Sequence, residues 1–253
     1  MKITFLGTGT SMGVPIAGGF YREQISRDSR NERYRCSAWI QVQGQSILID
    51  AGPEFRLQSI RAEIKHIDTV LITHEHMDHI AGLDDLRAYN YKQEGPLPLY
   101  CTQSCADSIL KRFDYMFGEN KYPGSTSLDV RPVNDKFEIR GGIEVTPLPV
   151  MHGKLPIFGF RIGDFSYLTD VKDIPAETKD KIRGSKIMVL SALRWDPPHP
   201  THLTIPEALA IAEELEISKT YFIHMNGAVD HTTTTQKLPD HARLAYDQMV
   251  IEL

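Results

Sequence analysis

The sequence predicts an α/β protein, and two observations carry that prediction. Short apolar runs alternate with stretches of helical character along the chain, the pattern of a sheet layered with helices. Four of those runs also stop at a histidine or an aspartate: residues 69–72 before His74, 143–150 before His152, 165–169 before Asp170 and 220–223 before His224. Strands that end together converge their side chains on one sheet edge, a placement not expected of scattered structural histidines. A chain of 253 residues has room for one large domain or two small ones.

The elements follow in order. Residues 2–6 read as a strand, closed by Gly7-Thr8-Gly9-Thr10-Ser11-Met12-Gly13. Glycines after a strand let backbone approach a ligand closely, and Ser11 with the amides around it could donate to a phosphate oxygen. Residues 14–36 read as a long loop rich in arginine (Arg22, Arg27, Arg30, Arg33, Arg35). Glu23, Asp28 and Glu32 balance part of that charge, so a solvated loop is favoured over phosphate recruitment. Two strands, 38–42 and 46–50, flank Gln43-Gly44-Gln45, which suits a hairpin turn. Asp50-Ala51-Gly52-Pro53 breaks the chain before a helix over 54–64. Helices are expected over 82–92 and 103–117, a loop over 118–127, and short strands from 128 to 168. Thr204-Ile205-Pro206-Glu207 opens a later helix with a threonine cap, a first-turn proline and a glutamate at the third position. Residues 250–252 can form a last strand.

Composition narrows the class. Hydrophobic residues are 41% and charged residues 24%, enough for a sizeable core in a soluble protein. A net charge of −5 argues against bulk electrostatic capture of nucleic acid. Cys36, Cys101 and Cys105 are too few, and odd in number, for a disulfide framework. That favours a reducing, cytoplasmic setting. The first seven residues are too soon broken by glycine to be a signal peptide. No run approaches the roughly 18 apolar residues of a membrane span.

His74-Glu75-His76-Met77-Asp78-His79 is the densest chemistry in the chain. It sets three imidazoles and a carboxylate in one short turn after an apolar run. Alternation puts His74 and His76 on the same side of an extended segment, and Asp78 and His79, past the turn, can face a second ion. Imidazole and carboxylate suit zinc, manganese or iron. Each downstream candidate has a plainer reading when taken alone. His152 can be structural, Asp170 a turn residue, His224 a satisfied core histidine and His202 an idle loop residue. Their weight comes from occurring together.

These residues resemble the metallo-β-lactamase superfamily. The match runs through Leu6-Gly7-Thr8-Gly9-Thr10-Ser11, Asp50-Ala51-Gly52, the His74–His79 cluster, His152, Asp170, His202, His224 and Ala245-Tyr246-Asp247. Within it the chain is similar to the phosphodiesterase branch of phosphoribosyl cyclic phosphate phosphodiesterases and, more distantly, to the tRNA 3′-processing endonuclease. The resemblance implies a single hydrolase domain over 1–253 with a four-layer α/β/β/α sandwich. It implies two divalent ions per chain, zinc or manganese with iron as a further option. His74, His76 and His152 would hold one ion and Asp78, His79 and His224 the second. Asp170 would bridge them together with a hydroxide, and Asp78 would hydrogen-bond that nucleophile. His202 would contact the scissile phosphate and protonate the leaving oxygen. A homodimer follows only by analogy. Some members of the branch carry three cysteines and a histidine that form a structural zinc site. The corresponding positions here are Gly19, Tyr21, Gln24 and Gly227, so no third zinc is expected.

The function that follows is dinuclear, metal-dependent hydrolysis of a small or cyclic phosphodiester. Three alternatives stay open: a thioester, lactone or β-lactam hydrolase on the same scaffold, a tRNA 3′-end endonuclease, and a metal-binding module without catalysis. The endonuclease reading would favour a long basic arm, and the sequence has no obvious one.

Overall fold

Period-two alternation in the strands divides their apolar residues between two faces. Ile47 and Ile49 enter a central core while Leu48, between them, enters an outer one. Val189 and Met188 part in the same way, as do Tyr221 and Phe222. Two sheets built like this must stack, with helices covering each outer face. The computed structural model shows that arrangement. It describes residues 1–93, 95–119 and 121–253, without the side chains of Gln24 and Ser26.

The first sheet holds β1 (Lys2–Gly7), β2 (Ser37–Val42), β3 (Gln45–Ile49), β4 (Thr69–Leu71), β5 (Leu97–Cys101) and β6 (Leu128–Pro132). The second holds β7 (Phe137–Ile139), β8 (Ile143–His152), β9 (Leu155–Ile162), β10 (Phe165–Leu168), β11 (Ile187–Ser191), β12 (Lys219–Ile223) and β13 (Ala242–Leu244). The last strand, β14 (Val250–Glu252), returns to the first sheet beside β1, giving the order β14-β1-β2-β3-β4-β5-β6. The second sheet runs β13-β12-β11-β10-β9-β8-β7. Phe5, Ile40 and Leu71 from one sheet meet Phe160, Phe165 and Val189 from the other in the central core. Phe55, Leu83 and Ile109 cover the outside of the first sheet, and Ile182, Ile205 and Ala208 that of the second. The four-layer sandwich expected from the sequence is present.

Element boundaries differ where the backbone ends a helix early. The helix expected over 54–64 spans Phe55–Arg61 and gives way to Glu63 at φ 53°. The one expected over 103–117 is Gln103–Arg112, broken at Phe113 before a short 3-10 turn. The stretch expected over 82–92 is two short turns, Leu83–Leu86 and Arg87–Asn90. Within the loop over 118–127, Asn120 lies outside the described residues. Thr204 and Glu207 form the reciprocal cap their spacing predicts. No helix among the described residues is long and apolar enough to cross a membrane.

Candidate metal centre

Strand ends from both sheets supply the site. Parallel pairing carries β3 and β4 in the first sheet, and β10, β11 and β12 in the second, toward the same end of the sandwich. Three of the strand exits turn on left-handed residues: Asp50 at φ 59°, Asp170 at 58° and His224 at 61°. Aspartate and histidine tolerate this conformation better than bulky residues, and such turns gather at functional sites. The convergence read from the sequence as one sheet edge is therefore a junction between two sheets.

One short helical turn, Met77–Ile80, holds the dense cluster. His76 ends the extended approach at its N-terminus, and Asp78 and His79 lie inside it. His74 Nε2 is 3.0 Å from His76 Nδ1, so the two imidazoles share a side as their spacing requires. The His152 ring lies 5.2 Å from that of His76, and the His202 ring 4.7 Å from that of His152. The rings of His202 and His224 stack at 4.6 Å.

Asp50 fixes the orientation of this cluster. Its carboxylate accepts from the Thr73 amide at 2.8 Å, the Thr73 hydroxyl at 2.9 Å and His79 Nδ1 at 2.7 Å. Because the Thr73 hydroxyl donates to Asp50, it accepts from His74 Nδ1, 3.0 Å away. His152 Nδ1 donates to the Thr201 carbonyl at 2.9 Å. All three imidazoles thus spend Nδ1 on a neighbour and leave Nε2 for the cluster, the pattern of second-sphere orientation around a metal.

The remaining atoms do not satisfy each other. His79 Nε2 is 3.1 Å from Asp78 Oδ2 and 3.2 Å from Asp170 Oδ2, and His224 Nε2 is 3.0 Å from Asp170 Oδ1. None of these approaches has hydrogen-bond geometry, and both nitrogens are buried without a partner. A bare nitrogen facing carboxylate oxygens is satisfied only by a further proton or a cation between them. Among the described residues, no lysine or arginine is ion-paired to Asp50, Asp78 or Asp170. Three carboxylates with nitrogen donors on a dry floor fit divalent cations well.

Burial and neighbouring charge shift several titrations here. Burial alone would raise Asp170, but His224 and His79 hold its carboxyl well below the usual range. Burial opposes a charge on His79, yet Asp50 and Asp170 outweigh it and hold that imidazole well above its ordinary value. His74 is driven well below by burial, then by His79. His202 falls to about 3, first from burial and then from the facing His224.

Every sequence-derived metal-ligand candidate, and His202, lies in this cluster. Ligand atoms lie within 4.8 Å of one another in each of four sets: His74, His76 and His152; His74, His79 and Asp170; His152, Asp170 and His202; Asp78, Asp170 and His224. Asp170 belongs to three of the four, so it lies at the centre of an arrangement that could hold metal ions. His79 joins a set through His74 and Asp170 rather than through Asp78 and His224. Asp50, Thr73 and Thr201 were not singled out from the sequence as site residues. Asp50 carries the signal that marks the others, an aspartate just past an apolar run, but with the Gly52-Pro53 break beside it the segment also reads as a turn.

Two segments also serve packing. The amides of the glycine-rich turn are largely consumed: Gly9 donates to the Tyr34 carbonyl, Thr10 to Met225 and Gly13 to Thr10. Its glycines serve close packing, since a Cβ on Gly7 would lie 2.0 Å from the Arg35 carbonyl oxygen. The Arg-rich segment is also mostly structural. Arg33 is buried and bonded to Asn31 and Val229, Arg30 pairs with Asp28, and Arg35 holds Glu54 and the Ser11 carbonyl. At the positions of the expected missing zinc, the Tyr21 ring lies against Gly227, where a Cβ would sit 2.3 Å from it. The Gln24 side chain there lies outside the described residues.

The family described as beta-lactamase superfamily domain matches residues 45–225. The chain belongs to this superfamily. The relatives found for it are consistent in fold and varied in name. A protein named octanoyltransferase from Porphyromonas gingivalis is 38% identical over 250 residues, covering 98% of this chain and 50% of that protein. A ribonuclease Z from Bacillus licheniformis is 30% identical over 181 residues, 69% of this chain and 50% of that protein. The chain thus spans about half the length of these relatives. A solved structure described as a new diphosphatase from the PhnP family superimposes with a TM-score of 0.91 at 36% identity, covering 100% of this chain and 97% of that one. Zinc-bound PqqB from Methylobacterium extorquens, at 19% identity and a TM-score of 0.80, shares the fold. Homologues and structural neighbours of this superfamily member thus include hydrolases of the metallo-β-lactamase fold, a diphosphatase and ribonuclease Z among them.

Proposed function

We propose that the protein is a dinuclear metal-dependent phosphodiesterase acting on a small or cyclic phosphodiester. The observation that carries this reading is the likeness to the PhnP-family diphosphatase, which spans nearly the whole of both chains. A phosphoanhydride and a phosphodiester both break by displacement at phosphorus. The bare nitrogens and carboxylates of the cluster support the metal requirement.

In this reading His74, His76 and His152 would hold one ion, Asp78, His79 and His224 the other, and Asp170 would serve both. Divalent ions, when bound there, supply Lewis acidity toward phosphoryl oxygens and ionise water near neutral pH. The chain's own residues do the rest. Asp50 orients His79 directly and His74 through Thr73. Asp78 would hydrogen-bond the attacking oxygen. His202, half-buried at the rim, donates its proton to the leaving oxygen. Its imidazole is held neutral in this environment, and an anionic phosphate entering beside it favours the protonated form.

The test is hydrolysis of bis-p-nitrophenyl phosphate beside 2′,3′-cyclic and 3′,5′-cyclic nucleotides and a dinucleoside diphosphate. The metal-free protein is refilled separately with zinc and with manganese. Metal-dependent turnover that disappears in Asp170→Ala is the expected result. Full activity in that variant, or silence on every phosphorus ester, would sink the reading.

A second reading, hydrolysis of a thioester, is favoured by one observation: the 38% identical relative bears the name octanoyltransferase. An octanoyl thioester run in the same assay separates the two, because only a carbon-centred hydrolase releases its thiol.

A further inference from the structure

We propose that Lys172 and Glu207 are positioning residues for His202, an ion pair that fixes the imidazole relative to Asp170. The inference rests on the phosphodiesterase reading above, in which His202 protonates the leaving oxygen.

His202 ends a loop whose preceding residues, Asp196 to Pro198, are exposed. Such a loop does not by itself hold a proton donor in register. The structure supplies the missing anchors from the exit of β10. Lys172 Nζ lies 2.9 Å from Glu207 Oε1 and 3.5 Å from the His202 carbonyl oxygen. The other carboxylate oxygen of Glu207 accepts from the Thr204 amide at 2.7 Å and the Thr204 hydroxyl at 2.8 Å. Glu207 therefore uses one oxygen to start its helix and the other to tie that start to Lys172. Between them, the Leu203 amide donates to the Val171 carbonyl at 2.8 Å.

Asp170, Val171 and Lys172 are consecutive. One provides the central carboxylate of the cluster, and the next two hold the residues on either side of His202's peptide. The separation between cluster and imidazole is thus set across two residues of backbone rather than through the long loop. His152 contributes from the other side through its bond to Thr201. The ion pair is partly solvent-exposed, with side chains 26% and 39% accessible. Pairs so exposed contribute little to stability, so its removal should show in register rather than in folding.

The test uses the metal-loaded protein and a series of diaryl phosphates, from bis-p-nitrophenyl through bis-p-chlorophenyl to diphenyl phosphate. A p-nitrophenolate departs without a proton, whereas phenolate departs far better with one. Lys172→Met removes the ion pair and keeps the aliphatic stem. Glu207→Gln weakens the pair and keeps an acceptor for Thr204, so the helix cap survives. Both variants should lose kcat about tenfold or more on diphenyl phosphate. They should change little on the p-nitrophenyl ester, with KM and melting temperature near wild type. Lys172→Arg should restore the wild-type dependence on leaving group. Equal losses across the series, or none, would overturn the proposal. His202→Ala, run alongside, separates the causes. If that variant shows no selective loss on diphenyl phosphate, the role of His202 fails and the proposal with it. If only His202→Ala is selective, the ion pair alone is refuted. A wild-type protein silent on the whole series overturns the phosphodiesterase reading itself.

Discussion

Asp50 accepts three hydrogen bonds while fully buried, and two candidate ligands take their tautomers from it. Asp50→Asn keeps the shape but removes a charge and one acceptor, so His79 and His74 lose their common reference. Metal affinity should fall roughly 10–100-fold, the usual effect of removing a second-sphere partner, as measured by competition with a chromophoric chelator. An unchanged affinity would mean that the turn around residue 77 orients His79 unaided. Asp247 carries a different prediction. Burial raises its carboxyl to about 7, against bonds from Tyr34 and Thr8 that favour the ionised form. The folded protein therefore holds a proton there that the unfolded chain releases near pH 4. The stabilisation is complete below about pH 4 and is lost as pH rises to about 7, on the order of 4 kcal/mol. Asp247→Asn should flatten that part of the profile in urea titrations at pH 5 and pH 8. A slope identical to wild type would exclude Asp247 as its source. The sequence made the ligand candidates legible at this scale, because each follows an apolar run. It did not reveal that Arg33 is buried against Asn31 and Val229, since charge pattern gives no account of depth.

Among the elements, the turn Met77–Ile80 depends on a glycine in another segment. A Cβ on Gly52 would lie 2.2 Å from the Asp78 carbonyl oxygen, and one on Gly82 would lie 2.2 Å from the Gly52 carbonyl oxygen. These contacts are backbone, which cannot swing aside as a side chain can. Gly52→Ala should cost about 1–3 kcal/mol or more through overpacking and lower metal affinity by displacing Asp78. Gly44→Ala is the control: it meets nothing within 4 Å and carries only the strain of φ +76°. Urea denaturation with metal titration distinguishes them, and equal costs would show that the close approach relaxes freely. Gly52 was readable as a chain break, but the segment it packs against is 26 residues away and lay beyond local pattern. The helix His231–Thr235 escaped for another reason. Its four threonines have poor helix propensity, and the cap from Asp230 with tertiary packing prevails over it.

For the molecule as a whole, the α/β class was legible from strand-like runs alternating with helical stretches, and the sandwich from the family resemblance. Which sheet a strand joins was not, since run length and composition are alike in both. That is why strand ends from two sheets looked like one edge. The consequence is that the candidate metal centre lies across a seam, and cations bound there should fasten the two sheets. Removing metal should leave the three carboxylates facing one another. Chelation should then lower the melting temperature on the order of 10 °C relative to protein with metal at a thousand times its Kd. No change in differential scanning calorimetry would mean that the cluster is satisfied by protons alone.

β1 and β14 lie side by side, and the Met1 amino group donates to the Leu253 carbonyl at 2.5 Å. β1 runs from that contact toward the seam, where Gly9 bridges to Met225 beside His224. Residues 1 and 253 therefore meet at the pole opposite the chemistry. Joined by a short peptide, they would make an almost seamless ring that could be reopened at an exposed loop. The cluster would then be assembled from the same side chains in a new reading order, so linear succession along the polypeptide is a convenience of synthesis rather than a requirement of the site.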